Sequence, residues 1–312
     1  RCWSCRSLST ICWGKRNNKQ RYKCNNCNLL FTSKNDAVKL NNQFIWFRKW
    51  VIGKQTLEQL SLASSYSKRK LQYLFKYYLS KPPQFIIKNK LLLNLMIDGT
   101  YMNGDACLIL YYDSKLRYAL FYRWTNQEYF TEIKEDLENL KRLGINLQSV
   151  TCDGKKAIIN AVKKAYPQAT VQRCIVHIQR MVRHWLTRKP KSTTAKELRY
   201  LIGLVHHIGN VTEQAMWTIA FEKWYEKHKV FINEKVKNKP TNRWWYKHRQ
   251  IRRCAVLIKV ALPDMFHFIT NKSIPKSTNG IDSYFGHLKL NLNVHRGLTY
   301  ENRNNFVLWY LY

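Results

Sequence analysis

Acidic residues are scarce in this sequence: 19 Asp plus Glu stand against 54 Lys plus Arg among 312 residues, a formal net charge of +35. So large an imbalance repels itself unless something anionic is nearby, which points to nucleic acid as the partner. Long apolar runs are missing too. No stretch of about 18 or more uncharged apolar residues occurs, which argues against a membrane-spanning helix. No secretory leader is evident, and no repeat of solenoid-like period runs through the chain. What is present argues against a disordered basic tail: 45% of residues are apolar and 14% aromatic. The expected product is a soluble, folded chain of one large or two to three ordinary domains. Charge alone fits a ribosomal or chromatin protein without chemistry as well as it fits an enzyme.

Nine cysteines without a leader, four of them at metal-type spacing, suit a reducing cytoplasm better than an oxidised, secreted chain. Cys2-Trp3-Ser4-Cys5 and Cys24-Asn25-Asn26-Cys27 are two CxxC knuckles eighteen residues apart. Four thiolates so arranged suit tetrahedral Zn2+, and a segment with almost no core of its own needs one. Residues 1–35 are therefore expected to form a zinc ribbon, with Zn2+ on Cys2, Cys5, Cys24 and Cys27. An exposed redox pair is the alternative. Cys12 lies outside the pattern.

Residues 36–82 have helical spacing and read as a helix-turn-helix DNA-binding domain. Phe44, Phe47, Trp50 and Val51 share one face of the first helix; Leu71, Leu74, Phe75 and Tyr78 share one face of the last. Ser67 is a natural N-cap, and Lys68, Arg69, Lys70, Gln72 and Tyr73 on the following turns suit phosphates and base edges. An ordinary three-helix bundle with a solvated basic face would read the same way, since the turn carries no glycine. Pro82-Pro83 ends the unit.

Beyond it the pattern changes to strands. LLLNLMID (91–98), ACLILYYD (106–113) and RYALFYRW (117–124) read as consecutive antiparallel strands. A helix over Gln127–Leu143 ends at Gly144. Strand LQSVTCD (147–153), helix KKAIINAVKKAY (155–166) and strand ATVQRC (169–174) follow. Residues 90–178 are thus expected to form an α/β layer on a mixed sheet. Residues 179–275 read as an all-helical insertion, RWWYKHRQIRR included. Residues 276–312 read as a final acid-bearing helix, TNGIDSYFGHLKLNL, and a basic tail.

Three aspartates stand out. Asp98 closes the first core strand, where Asp is an ordinary turn residue; Asp153 closes the fourth, where it is an ordinary N-cap. If those strands are neighbours, both carboxylates meet at the carboxyl edge of the sheet, where α/β folds commonly carry their sites. Paired carboxylates repel each other and gain from a divalent ion. Mg2+ takes oxygen ligands at about 2.0–2.1 Å, and two such ions about 3.5–4 Å apart can steady both oxygens of a phosphoryl transfer. Asp282, three residues after the candidate N-cap Asn279, would complete the set.

At this point the chain resembles the Mutator-like group of bacterial insertion-sequence transposases. The resemblance is carried by MIDGTY, VTCDGKKA, the CIVH motif, RWWYKHRQIRR, TNGIDSYFGHLK and LKLNLNVHRGL in that order, and covers nearly the whole chain. It implies a DDE-type enzyme with an RNase H-like catalytic domain, and a zinc ribbon and helix-turn-helix in front are typical of such enzymes. Asp98 and Asp153 take the first two acidic positions, with Mg2+ or Mn2+ as cofactor. Asp282 stands where the family pattern has glutamate; being one methylene shorter, it requires a closer helix or a bridging water. Cys174 and His177 match the family's Cys-x-x-His motif, as a structural pair beside the site or as half of a zinc site.

The resemblance further implies metal-dependent cleavage at the ends of the element, followed by strand transfer into target DNA. Arg243, Trp244, Lys247, Arg249, Arg252, Arg253, Lys289, His295 and Arg296 would hold double-stranded DNA, and Trp244, Trp245 or Tyr246 are available to stack on unpaired bases or to pack a core. A homodimer or larger assembly, located in the bacterial cytoplasm with the nucleoid and without membrane contact, is implied as well. The rivals are a catalytically inactive, transposase-derived DNA-binding protein or regulator, and a nuclease that cleaves without joining.

Overall fold

A computed structural model describes residues 1–2, 4–32, 34–84, 92–102, 106–238 and 240–312, and side chains other than those of 34–41. The expectations for Trp3, for the start of the α/β layer at 90 and for the start of its first strand at 91 lie outside the described residues. The chain divides into two units, Arg1–Gln84 with His287–Tyr312, and Phe85–Gly286.

In the first unit, β1 (Thr10–Arg16), β2 (Lys19–Cys24) and β3 (Leu30–Thr32) form an antiparallel sheet. The β1–β2 turn is Asn17-Asn18, both at positive φ, which matches the right-handed twist of a tight hairpin. Helices α1 (Lys34–Ile52), α2 (Leu57–Ser64) and α3 (Lys68–Leu79) follow. Thr56 and Gln59 form a capping box on α2, and the Ser67 hydroxyl accepts from the Lys70 N–H at the start of α3. Between the two helices Ser65 takes the left-handed conformation, φ 58°. Residues 294–312, expected as a basic tail of the core, instead include the helix α12 (Tyr300–Leu311), which packs within this unit. Its Phe306 is buried edge-on to Trp50, and Trp309 Nε1 donates to the Tyr78 carbonyl at 2.9 Å. The rings of Tyr78, Phe47, Phe75 and Trp50 pack in succession in this core, beside buried Leu60, Leu71 and Leu79.

The second unit holds a five-stranded mixed sheet of order β6-β5-β4-β7-β8. Its strands are β4 (Leu92–Met102), β5 (Ala106–Asp113), β6 (Tyr118–Thr125), β7 (Asn146–Cys152) and β8 (Thr170–Arg173). The β4–β5 and β5–β6 pairs are antiparallel, and β4–β7 and β7–β8 parallel. Alternation sends Leu95, Ile97, Cys107, Ile109, Tyr111, Val150 and Cys152 into a core beneath α4 (Phe130–Arg142) and α5 (Lys156–Ala165). A second cluster fills the helical region of α6 (Ile175–Leu186), α7 (Thr193–Leu204), α8 (Val211–Ile232), α9 (Arg249–Ala261) and α10 (His267–Thr270). No described helix is long and apolar enough to cross a membrane.

Three expectations are corrected here. The insertion is not all-helical: Trp244–Tyr246 is a strand, β10, paired antiparallel with β9 (Lys235–Lys237). Asp98 does not close its strand, because β4 runs on to Met102 with Asp98 opposite Leu110. Asn279 is not the cap of α11 (Asn279–Val294) but its first residue, and the Thr278 carbonyl accepts from the N–H groups of Ile281 and Asp282.

Candidate functional site

The parallel register between β4 and β7 ends at Ile97 opposite Cys152, and the residue after each is an aspartate, Asp98 within β4 and Asp153 just past the end of β7. Ile97 and Cys152 point into the α4/α5 core, and alternation turns Asp98, which is still within β4, to the other face. That face of β4 and β5 meets the first turns of α11: Gly280 lies against Met96, and the Tyr284 ring lies 5.8 Å from that of Tyr112. A Cβ at position 280 would come within 3.2 Å of the Met96 methyl, so glycine permits the close approach of helix to strand.

The segment leading into α11 is tied down over its length. The Pro275 carbonyl accepts from Thr151 Oγ1 at 2.8 Å, and the Lys276 carbonyl from the Ile175 N–H at 3.1 Å. Fully buried Thr278 sends its N–H to Cys174 Sγ at 3.3 Å, and its hydroxyl lies 3.2 Å from His177 Nδ1. The Cys-x-x-His motif therefore grips the residue from which α11 departs. His177 is raised to about 9 by its hydrogen bond to Cys174, against the effect of burial. Burial alone would push the Cys174 thiol up, but the bond and charge of His177, with Thr278, bring it below its ordinary value.

Anchored in this way, Asp282 reaches the sheet. Ligand atoms of Asp98, His177 and Asp282 all lie within 4.8 Å of one another. The shorter aspartate thus comes close to Asp98 because the helix itself sits close. Asp153 falls outside that grouping: one of its oxygens accepts from the Lys155 N–H at 2.9 Å, so it braces the turn before α5 without being the cap residue, which is Lys155. Its charge still reaches Asp98. Burial first, then the charges of Asp153 and Asp282, push the Asp98 carboxyl up to about 6, with His177 pulling the other way. Four groups therefore share one field.

Neighbouring charges escaped the sequence reading. Arg180, one turn beyond His177 on α6, donates from Nη1 to Asp282 Oδ2 at 2.7 Å; its spacing of three from His177 was the available signal. Lys155 pairs with Glu128, whose side chain is buried behind Gly99 with one oxygen unpartnered. Nothing in the TNQEYF stretch marks Glu128. The buried Arg173 guanidinium lies against Gly154, where φ is +97° and any Cβ would collide with it.

At the other end of the chain, Cys2, Cys5, Cys24 and Cys27 form a second group, with Sγ–Sγ distances of 3.6 Å for Cys2–Cys27 and 3.5 Å for Cys5–Cys24. A tetrahedron with bonds of about 2.3 Å has edges of about 3.8 Å, so the donors and spacing suit zinc. Cys12 is exposed and separate.

The surface candidates divide. Lys68, Arg69, Lys70, Gln72 and Tyr73 on α3 are exposed, Lys68 being paired with Glu58. Arg243, Arg249 and Arg296 are also exposed. Lys247 pairs with Glu234, Arg252 covers Tyr246, and Arg253 covers Trp185. In the β9–β10 hairpin Trp244 and Tyr246 share a face beneath Lys235, and Trp245 alone points to the other, half exposed. His295 is not a surface group: its Nε2 meets the Trp50 carbonyl at 3.0 Å and its ring packs on Trp50. Lys289 is half-buried and engaged within the protein.

Comparison with known proteins gives two findings. The family described as Transposase, Mutator family, matches residues 119–289, more than half of the chain and a span that includes Asp153, Cys174, His177 and Asp282. A curated relative described as a probable transposase for insertion sequence element, from Corynebacterium diphtheriae, is 40% identical over 52 residues, which is 16% of this chain and 15% of that protein.

Proposed function

The chain belongs to the Mutator family of transposases, and from that membership we propose that it cleaves DNA at the ends of an insertion sequence and joins the freed 3′ ends to target DNA. The single observation that carries this reading is the meeting of Asp98 with Asp282 beside Asp153, on an edge where Asp98 is held against the charge of both. Oxygen donors of like charge, forced together in a strongly basic protein, fit Mg2+ or Mn2+. Bound divalent ions would supply Lewis acidity for the attacking and leaving oxygens of phosphoryl transfer.

The chain's own residues do the rest. Asp98, Asp153 and Asp282 hold the ions; Cys174 and His177 keep Thr278, and with it Asp282, in register; the Glu128–Lys155 pair stiffens the turn behind Asp153. No covalent protein intermediate is required, so no Ser or Tyr nucleophile is assigned. The order of three antiparallel strands, a helix and two parallel strands supports an RNase H-like core. The four-cysteine group supports a zinc ribbon, and capped α2 and α3 with an exposed basic face support a helix-turn-helix. Double-stranded DNA is the substrate, contacted by α3, by Arg243, Arg249 and Arg296, and by Trp245 stacking on a base at the cleaved end. Joining two ends calls for a dimer or larger assembly, acting in the bacterial cytoplasm at the nucleoid.

The test is incubation with supercoiled DNA carrying the element ends, in Mg2+ or Mn2+. Metal-dependent nicks and joined products are expected, and both should vanish in Asp98→Ala. Binding without metal-dependent nicking would favour an inactive DNA-binding derivative, and nicks without joined products a nuclease.

A further inference from the structure

Asp282 already holds a protein cation. Arg180 Nη1 lies 2.7 Å from its Oδ2, and among the described residues the other guanidinium N–H groups of Arg180 have no protein partner. The Arg180 side chain is 57% exposed, the Asp282 side chain 31%. A guanidinium cannot shed its charge, so a divalent ion taking the Asp282 carboxylate would find a fixed positive charge on the oxygen it needs. An exposed pair of this kind is weakly held, so the exchange is accessible. Arg180 also shares a face of α6 with His177, directed at the carboxylate group, and its free fork of donors matches the oxygens of a phosphodiester.

Resting on the metal-dependent reading above, we propose that Arg180 is a two-position residue. It is the counter-ion of Asp282 in the metal-free protein, and it moves to a non-bridging oxygen of the DNA phosphate when Asp282 is given over to the ion. The exchange ties occupancy of the carboxylates to the arrival of DNA, because the phosphate supplies the negative charge that Arg180 needs when it leaves. DNA and divalent ion should then bind with positive coupling, and Arg180 should carry a large part of that coupling.

Calorimetric titration of Mn2+ into this chain in its zinc-loaded form tests this, with and without a duplex of the element end, for the parent, Arg180→Gln and Arg180→Lys. Without DNA, Arg180→Gln should bind Mn2+ about 3–10-fold more tightly than the parent, the gain from removing a neighbouring positive charge. DNA should tighten Mn2+ binding by about fivefold or more in the parent and by much less in Arg180→Gln. Single-turnover cleavage by Arg180→Gln should fall about 100–1,000-fold, the scale of losing a donor to the reacting group. Arg180→Lys keeps the charge without the fork and should fall between. Unchanged Mn2+ affinity and unchanged coupling in Arg180→Gln would overturn the proposal and leave an ordinary surface ion pair. Failure of the parent to cleave would count against the proposed function instead; the coupling, read by titration alone, would still decide the role of Arg180.

Discussion

The N-terminal ribbon and the five-stranded sheet each gather metal-type ligands, yet they stand in opposite relations to their cores. In the ribbon the ligands are the core: Cys2 and Cys24 are buried with Phe31, and among the described residues Tyr22 and Leu29 pack against them. In the sheet the core is complete without the acids, since Leu95, Ile97, Ile109, Tyr111, Val150 and their partners are buried on the face away from Asp98. The acids are an added electrostatic cost carried by a scaffold that can bear it. The ribbon should need its ion in order to fold, and the sheet should need one only in order to react.

The largest effect should come from breaking the first half of that contrast. Chelation of zinc, or Cys24→Ser, removes binding free energy of roughly 10 kcal/mol on the scale of structural zinc sites. Amide protection in residues 1–32 should be lost while β4, β5 and β7 keep theirs, as read by hydrogen exchange on the intact chain. Loss of protection in both would make the two regions one cooperative unit.

Asp98→Asn probes the other half. Cleavage should fall at least about a thousandfold, some 4 kcal/mol of barrier, while the metal-free protein becomes more stable. The sign follows from the raised carboxyl. With a folded value of about 6 against an ordinary 3.8, the folded chain binds more protons in that window, so stability declines as pH rises through it. At pH 7 the whole penalty is present, and Asn should recover about 1–3 kcal/mol of it in urea denaturation. The same carboxyl predicts that Mn2+ affinity weakens as pH falls below about 6 and that Asp98→Asn removes this dependence. A destabilised Asp98→Asn would mean that the acid is structural.

A smaller effect belongs to the first unit. Lys70→Ala on the exposed face of α3 should weaken DNA binding severalfold and reduce the salt dependence by about one phosphate contact, without altering zinc or Mn2+ affinity. An unchanged salt slope would remove α3 from the DNA surface.

The sheet was legible in the sequence because its first three strands are apolar, aromatic-rich runs set off by short polar breaks: β5 spans the expected 106–113, and β7 and α5 differ from expectation by a residue at each end. Features set by tertiary pairing were not legible. Trp244–Tyr246 is too short for any period and becomes a strand only because Lys235–Lys237 lies beside it. The sequence places Asp98 at a strand end, but β5 continues to pair with β4 beyond it, and what stops, at Ile97, is the pairing with β7. The helix over Tyr300–Leu311 was missed because its apolar residues are bunched in the second half, FVLWYL, rather than spaced along one face, and its buried Phe306, Val307 and Leu311 take their partners from α1 and α3. At the site, each acid sits within a recognisable motif, MIDGTY, VTCDGKKA or TNGIDSYFGHLK. Their spacing, and the presence of His177 and Arg180 among them, depend on how α6 and α11 meet.

Single-turnover cleavage of an element-end duplex by Asp98→Asn, Asp153→Asn, Asp282→Asn and the Asp98→Asn/Asp282→Asn double variant tests the central claim most directly. If the three acids form one metal-dependent site, each single variant should lose cleavage, and the double variant should be no slower than the worse single. Cleavage at the parent rate by Asp153→Asn, or additive losses in the double variant, would contradict a site built on these three aspartates.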